Sequence, residues 1–297
     1  MMTLRRLGEK RLIERIARGI RTGPGVVRGI GDDCAVLKSG NGRLLRLFAC
    51  DMLVEGVHFT RKARPDQVGW KALAVNVSDV AAMGGLPKQA VISLGLPPSA
   101  RVSFVDGLYR GLRRCAAAYG VDWVGGDTCR APRVVMDVAI LGEVEKGRVV
   151  YRTGAHPGDI LLVTGRLGGS LRSGRHLRFR PRVREARALT ARAKLHAMMD
   201  LSDGLGPDLL KMCEQSGVSA VLEPGRIPRH RGCSLEQALN DGEDFELLIA
   251  AAPRDAEALL RWAGRNLPCG LRRVGTVVPK KKGKLGALGS LEGFRHF

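Results

Sequence analysis

Residues 70–84 read WKALAVNVSDVAAMG and lie inside a segment, 66–83, whose apolar residues recur at the spacing of an α-helix. Gly84, with the glycine and proline that follow it, ends this predicted helix. Near its end stands Asp79, among small and apolar residues instead of the Lys and Arg that surround ordinary surface carboxylates. Asp79 is therefore a candidate for ligand binding.

Strands and helices alternate on both sides of this helix, which predicts two α/β domains, 1–145 and 146–297. Upstream we predict a helix over 4–20 and two strands, 34–37 and 44–49, flanking the hairpin signal Ser39-Gly40-Asn41-Gly42. Downstream we predict a helix over 99–119, with Ser99 as N-cap and Gly120 at its end, and strands over 90–96, 121–124 and 134–141. The second half is predicted to hold strands over 159–164, 218–222, 245–251 and 271–277 and helices over 205–215, 235–240 and 254–264.

Length and composition indicate a globular cytoplasmic protein. The 297 residues are enough for a large core, and 44% of them are hydrophobic and 26% charged. No apolar run approaches the roughly 20 residues of a membrane span, and the first residues lack the apolar segment of a secretory signal. The seven cysteines are an odd number without a C-x-x-C pair, which favours a reducing compartment over a disulfide framework or a zinc site.

The net charge of +20 has two interpretations: nucleic-acid binding, or a solvated basic surface on an Arg-rich protein. Three Tyr and three Trp offer little stacking platform for single strands, which weighs against nucleic acid as the main partner. A positive field would also attract anionic nucleotides.

Acidic residues recur where apolar runs meet small-residue turns, which is where α/β proteins bind ligands. They are Asp32, Asp33, Asp51, Asp79, Asp127, Asp200, Asp203, Glu243 and Asp244. Each alone is explained as a turn former or cap, and for Asp32 and Asp244 that explanation is the stronger one. As a set they favour Mg²⁺, whose preferred ligands are oxygens, and with it phosphate chemistry.

The usual phosphate-binding and hydrolytic motifs are missing. The sequence contains no G-x-x-x-x-G-K-[ST], no complete G-x-G-x-x-G, no H-E-x-x-H and no G-x-S-x-G. Phosphate binding would therefore depend on metal ions, backbone N–H groups of Gly turns and arginine.

Seven segments resemble, in order, the motifs of the thiamine-monophosphate kinase family, a branch of the aminoimidazole ribonucleotide synthetase and selenophosphate synthetase superfamily. They are 31–35 (GDDCA), 51–59 (DMLVEGVHF), 70–84, 125–128 (GGDT), 152–159 (RTGAHPGD), 199–205 (MDLSDGL) and 242–247 (GEDFEL). The resemblance implies an α/β (α+β) fold, with an N-terminal mixed sheet that pairs across the axis of a homodimer and a C-terminal α/β domain that closes over the nucleotide. It also implies phosphorylation of thiamine phosphate by ATP with several Mg²⁺ ions, and it leaves a K⁺ requirement open.

Site residues follow from the same resemblance, position by position. The resemblance implies that the metal ligands are Asp33, Cys50, Asp51, Asp79, Asp127, Asp200 and Asp203. It implies that ATP is contacted by Tyr109, Gly126, Asp127, Arg152 and Ser202. It also implies that thiamine phosphate is contacted by His58, Glu243 and Leu291. Structural alternatives stay open: a surface strand position for Arg152, a helix-face core role for Tyr109, a structural histidine for His58 and a turn role for Glu243.

Three departures from the family pattern stand out. Ala49 and Cys50 replace the usual hydroxyl residues before Asp51, and a thiol is a poor ligand for Mg²⁺. Leu291 stands where the family often has an aromatic residue, for which Phe294 is a possible substitute. The stretch 170–194 is shorter than usual and rich in arginine.

Two other functions compete with this interpretation. One is a sister ATP-dependent synthetase of the same superfamily that acts on another small molecule. The other is a non-catalytic basic binding protein, which the +20 charge would suit.

Overall fold

The computed structural model describes residues 3–40 and 42–280. The helices of this part are α1 Leu4–Leu7, α2 Glu9–Ala17, α3 Pro65–Ala82, α4 Val102–Tyr119, α5 Ser170–Ser173, α6 Val183–Thr190, α7 Leu205–Ser216, α8 Leu235–Asn240 and α9 Pro253–Asn266. The strands are β1 Val26–Arg28, β2 Ala35–Lys38, β3 Leu44–Val54, β4 Leu86–Leu96, β5 Asp122–Arg130, β6 Val135–Glu145, β7 Ile160–Thr164, β8 Leu195–Asp200, β9 Val218–Leu222, β10 Leu247–Ala251 and β11 Leu271–Pro279. None of the helices described is long and apolar enough to cross a membrane.

The N-terminal sheet is mixed, as predicted. Its six strands run in the order β1-β2-β3-β6-β4-β5, and β4 and β5 are parallel while the other neighbours are antiparallel. The predicted hairpin is present, because β2 and β3 pair antiparallel on either side of the turn. At the far edge, β5 is exposed along its whole length.

The C-terminal sheet is entirely antiparallel. Its five strands run in the order β8-β10-β7-β11-β9. The sequence predicted an α/β (α+β) fold, and the antiparallel pairing makes α+β the better description of this half. Because β7 and β8 both pair antiparallel with β10, they run in the same direction and end at the same edge of the sheet.

Helix α3 lies between the two sheets and is the centre of the core. It contacts β3, β4 and β6 on one side and β8 and α6 on the other, and 13 of its 18 residues are buried. A helix that is apolar on all sides is stable only when it is covered on all sides. Its packing on α4 depends on glycine, since a Cβ on Gly69 would lie 1.9 Å from the carbonyl oxygen of Leu108.

Two local predictions are wrong, and several elements were not predicted. The first helix is broken at Gly8, whose φ of 75° gives two short helices in place of one. Ser99 is not an N-cap, because it lies in a turn closed by the Ala100 N–H and the Pro97 carbonyl at 2.9 Å, and α4 begins after Arg101. The strand β8 and the helix α6 were missed altogether.

Candidate active site

Three buried or half-buried carboxylates converge between the two sheets. Asp33 comes from the loop before β2, Asp79 from the last turn of α3, and Asp200 from the end of β8. One oxygen of each lies within 4.8 Å of the others. We call these three residues the carboxylate cluster; it joins both halves of the chain.

The cluster is electrostatically unfavourable without a cation. Burial, followed by the neighbouring carboxylates, raises the pKa of Asp79 and of Asp200 well above the usual range. Two like charges 4 Å apart repel by about 4 kcal/mol at an effective dielectric constant near 20. Ser78 partly compensates Asp200 by donating its hydroxyl hydrogen to Oδ2 at 2.6 Å.

Asp51 lies next to the cluster on the covered face of β3. Its carboxylate is close enough to Asp79 and Asp33 to interact electrostatically with both. Burial raises the pKa of Asp51, and the charge of Asp33 adds to this effect. Asp51 is therefore a fourth acid of the same region.

Arg152 neutralises one member of the cluster. Its guanidinium donates to Asp33 Oδ1 from Nε at 3.0 Å and from Nη2 at 2.5 Å. Burial lowers the pKa of Arg152, but the charge of Asp33 and the hydrogen bonds to it outweigh burial, so the net shift is upward. Arg152 is thus a mostly buried partner of the acids and not a residue of a surface strand.

The donor set fits Mg²⁺. Among the residues described, Asp33 Oδ2 is a buried side-chain oxygen without a hydrogen-bond partner. A buried carboxylate oxygen left unpaired is costly unless a cation occupies it. Carboxylate oxygens from Asp33, Asp79 and Asp200 are the hard ligands that this ion prefers.

Two predicted metal ligands, Cys50 and Asp127, point to the other side of the N-terminal sheet. Alternation along β3 places Cys50 on its open face, opposite in direction to Asp51. Asp127 on β5 is exposed and pairs in register with Ser93, which in turn pairs with Asp137 on β6. Within one chain, the structure therefore does not bring Cys50 and Asp127 to the carboxylate cluster.

Asp137 was missed at the sequence level. Its charge raises the pKa of Cys50, after the larger effect of burial, and also that of Asp51. The available signal was an acid within the apolar run VVMDVAIL. The seventh predicted ligand, Asp203, forms an ion pair with the ammonium of Lys211 at 2.5 Å.

His58 and Glu243 are connected by a buried lysine that sequence reasoning overlooked. The Lys71 ammonium forms an ion pair with Glu243 and donates to the carbonyl oxygen of His58 at 3.1 Å. Burial raises the pKa of Glu243 and lowers that of Lys71, and the attraction between them opposes both shifts. The sequence signal was a lysine inside the apolar stretch of α3.

The His58 ring is oriented by the backbone. Its Nδ1 accepts a hydrogen bond from the Val54 N–H at 3.0 Å. In the neutral ring the proton therefore resides on Nε2, which makes Nε2 a donor.

The loop that carries Glu243 has a strained backbone. Gly242, Glu243 and Phe245 have φ values of 67°, 58° and 51°, in the region that favours glycine. The loop is held because the N–H of Glu243 donates to the carbonyl oxygen of Ser202 at 2.7 Å. Strain at a non-glycine residue is typical of binding sites, where surrounding contacts fix the conformation.

Tyr109 forms an aromatic stack with Trp123 of β5. The ring centroids are 4.9 Å apart and the planes differ by 12°. Trp123 is 42% exposed. The neighbouring Gly126 must be glycine, because a Cβ there would lie 1.9 Å from the Ile92 carbonyl oxygen.

Asp32 and Asp244 have structural partners. Asp32 accepts from the Arg152 N–H at 3.0 Å, and Asp244 accepts from the Gly168 N–H at 2.7 Å. The predicted substrate residue Leu291, like Phe294, lies outside the described residues.

Asp244 gives a pH prediction. Burial raises its pKa to about 7, whereas an unfolded aspartate has a pKa of about 3.9. Folding therefore takes up a proton between these values, and stability falls as the pH rises through this window. In Asp244→Asn we expect the free energy of unfolding to decrease less steeply with pH, by up to about 1.4 kcal/mol per pH unit. The measurement is a series of urea titrations of the metal-free protein at different pH values. The exposed Asp106→Asn is the control, and an unchanged slope in Asp244→Asn would contradict the prediction.

Family models agree with this architecture. The model for the AIR synthase related protein, N-terminal domain, matches residues 31–144, and the model for the corresponding C-terminal domain matches residues 156–287. Fold and site thus define a two-domain protein of the AIR synthase-related class, with a carboxylate cluster between its domains.

Individual relatives narrow the class. Thiamine-monophosphate kinase of Rhodopirellula baltica is 39% identical over 274 residues, covering 86% of this chain and 84% of the relative, and that of Bacillus subtilis is 36% identical, covering 86% and 87%. The solved complex of AaThiL with AMPPCP and TMP has a TM-score of 0.86 and 32% identity, covering 100% of this chain and 99% of that one. The chain belongs to the thiamine-monophosphate kinase family.

Proposed function

We propose that the protein transfers the γ-phosphoryl group of ATP to the phosphate of thiamine phosphate, which yields thiamine diphosphate and ADP. The carboxylate cluster carries this proposal, because both domains contribute to it and its oxygens suit a cation between two anionic substrates. The two relatives above are named thiamine-monophosphate kinases. The AaThiL complex contains an ATP analogue, AMPPCP, together with TMP.

The reaction requires two anions to approach each other. Asp33, Asp51, Asp79 and Asp200 would hold Mg²⁺, which when bound neutralises phosphate charge and aligns the donor and acceptor oxygens. The bond between Pγ and the bridging oxygen of ATP breaks, and a new bond forms from a thiamine phosphate oxygen to Pγ. That oxygen is already ionised near neutral pH, so no side chain has to remove a proton.

Arg152 is suited to exchange partners during binding. In the structure its fork is engaged with Asp33. Once a cation occupies Asp33, the guanidinium becomes available to the phosphates of ATP, which it can bind bidentately. We assign Gly126 and Ser202 to the nucleotide as well, and the exposed stack of Tyr109 to the adenine.

The acceptor side of the site is assigned to His58 and Glu243. The carboxylate of Glu243 would face the cationic thiazolium or the pyrimidine amine, and Nε2 of His58 would donate to the substrate. Lys71 positions both residues. Leu291 remains assigned to thiamine phosphate on the sequence resemblance alone.

We propose a homodimer formed through the open face of the N-terminal sheet. Large apolar side chains are exposed on this face: Phe48 45%, Met52 52%, Val91 41% and Leu141 36%. A second copy would cover these residues. Cys50 and Asp127 would then face the partner, and we retain them, with Asp203, as further metal positions. We also keep the domain limits 1–145 and 146–297 and a cytoplasmic location as parts of the proposal.

Negative charge introduced on the open face of the N-terminal sheet should dissociate the dimer into monomers. We expect the double substitution Phe48→Asp and Met52→Asp to raise the dimer dissociation constant at least about tenfold, because each change buries an unpaired carboxylate in the interface. Sedimentation velocity over a concentration series measures this. Val221→Asp, at an exposed apolar residue of β9, is the matched control. Equal dissociation constants for the two variants would place the interface elsewhere.

The function is tested with purified protein, ATP, Mg²⁺ and K⁺. We expect thiamine diphosphate and ADP in equal amounts by chromatography when thiamine phosphate is supplied, and no diphosphate from unphosphorylated thiamine. A panel of amide and formyl substrates, monitored for ADP release, tests the sister-synthetase alternative. Folded protein that releases ADP only with a panel substrate would overturn the proposal.

A further inference from the structure

Two histidines and an aspartate meet at the edge of the C-terminal sheet where β7 and β8 begin. His156 and Asp159 belong to the turn before β7, and His196 is the second residue of β8. One ligand atom of each residue lies within 4.8 Å of the others. The carboxylate cluster includes Asp200, four residues further along β8 or about 13 Å at the rise of a strand.

The Asp159 carboxylate is held in place by the backbone. Asp159 is 3% exposed, and its Oδ2 accepts from the His156 N–H at 2.8 Å. Its own carbonyl oxygen accepts from the Val277 N–H at 2.8 Å, which ties the turn to β11. The carboxylate is therefore fixed before any ligand arrives.

The two imidazoles are arranged around this carboxylate. Nδ1 of His196 lies 2.9 Å from both oxygens of Asp159, and the rings of His156 and His196 are 4.8 Å apart, tilted by 30°. A metal ion bound between these groups would replace the direct contact between His196 and Asp159. Neighbouring imidazoles repel when both are protonated, whereas a shared cation binds both as neutral ligands.

We propose that His156, Asp159 and His196 form a second metal site, selective for a borderline divalent ion such as Zn²⁺ or Co²⁺. Two imidazoles and one carboxylate suit these ions, in contrast to the all-oxygen carboxylate cluster, which suits Mg²⁺. His156 is exposed, so the fourth position opens to water. The bound ion would join the turn 152–159 to β8, and the same turn begins with Arg152 at the carboxylate cluster.

The site is tested with untagged protein in excess Mg²⁺, which occupies the all-oxygen sites. Zn²⁺ affinity is measured by competition with a chromogenic chelator, and Co²⁺ is added separately to record its visible d–d absorption. We expect one strong Zn²⁺ site per chain and Co²⁺ bands of nitrogen–oxygen ligation. Both His156→Gln and His196→Gln should weaken Zn²⁺ at least about tenfold and remove the Co²⁺ bands.

His230→Gln is the matched control, since His230 lies in the same domain and away from these three residues. It should retain full Zn²⁺ affinity. Because the His156 side chain lies at the surface, His156→Gln is expected to fold, and circular dichroism verifies this. Absence of a strong Zn²⁺ site in the unmodified protein, or equal affinity in His156→Gln and the control, would overturn the proposal and leave a hydrogen-bonded His196–Asp159 pair.

Discussion

Asp79→Asn is expected to reduce turnover at least about a thousandfold while leaving the metal-free fold as stable as before or more so. The carboxylate of Asp79 is surrounded by those of Asp33, Asp51 and Asp200, and burial raises its pKa well above the usual range. An amide of the same shape removes this repulsion, but it also removes a charged oxygen ligand. Activity and stability should therefore change in different directions.

The measurement pairs initial rates of thiamine diphosphate formation with urea unfolding in the absence of divalent ions. Asp106→Asn, on the exposed side of α4, is the control and should change neither quantity. A Mg²⁺ titration adds a third readout, because Asp79→Asn should require more of the ion for its residual activity. An active Asp79→Asn enzyme with an unchanged Mg²⁺ requirement would contradict the assignment of Asp79 to the metal.

Lys71→Met is expected to destabilise the protein by about 3–5 kcal/mol. The Lys71 side chain is 1% exposed and that of Glu243 is 9% exposed, so the substitution leaves a buried carboxylate without its cation. Removing one partner of a buried pair is far more costly than removing both. The double variant Lys71→Met and Glu243→Gln should therefore regain much of the lost free energy of unfolding.

A double-mutant cycle in urea measures this coupling. The same variants also separate structure from substrate binding. The double variant should fold yet retain a raised KM for thiamine phosphate, because the proposed carboxylate contact to the substrate is absent. Additive destabilisation in the cycle would show that the pair does not stabilise the fold, and an unchanged KM would remove Glu243 from the acceptor site.

Much of the fold was predictable because local signals agreed with the packing. The helix predicted over 66–83 is α3, Pro65–Ala82, and Gly120 ends α4 in the left-handed conformation. The strand β8 was missed because a short apolar run does not distinguish a strand from a helix by periodicity. The antiparallel order of the C-terminal sheet depends on pairings distant in sequence, which no local pattern records.

The candidate site was predictable in its residue types more than in its geometry. The acids at Asp33, Asp79 and Asp200 were chosen from their motifs, and the structure brings them together. Lys71 was overlooked because a lysine in a helix is usually solvated, and only the tertiary contact with Glu243 reveals its burial. The direction of Cys50, away from Asp51, follows from strand alternation, but only once the extent of β3 is known.

The position of α3 between the two sheets has a consequence for synthesis on the ribosome. Its second apolar side stays uncovered until β8 has been made, more than a hundred residues later, and Lys71 meets Glu243 only after a separation of 172 residues. Domains usually fold in order as the chain emerges, and uncovered apolar surface invites aggregation. We therefore expect the N-terminal half to emerge with this apolar side exposed, and a truncated chain ending after β6 to precipitate instead of folding alone.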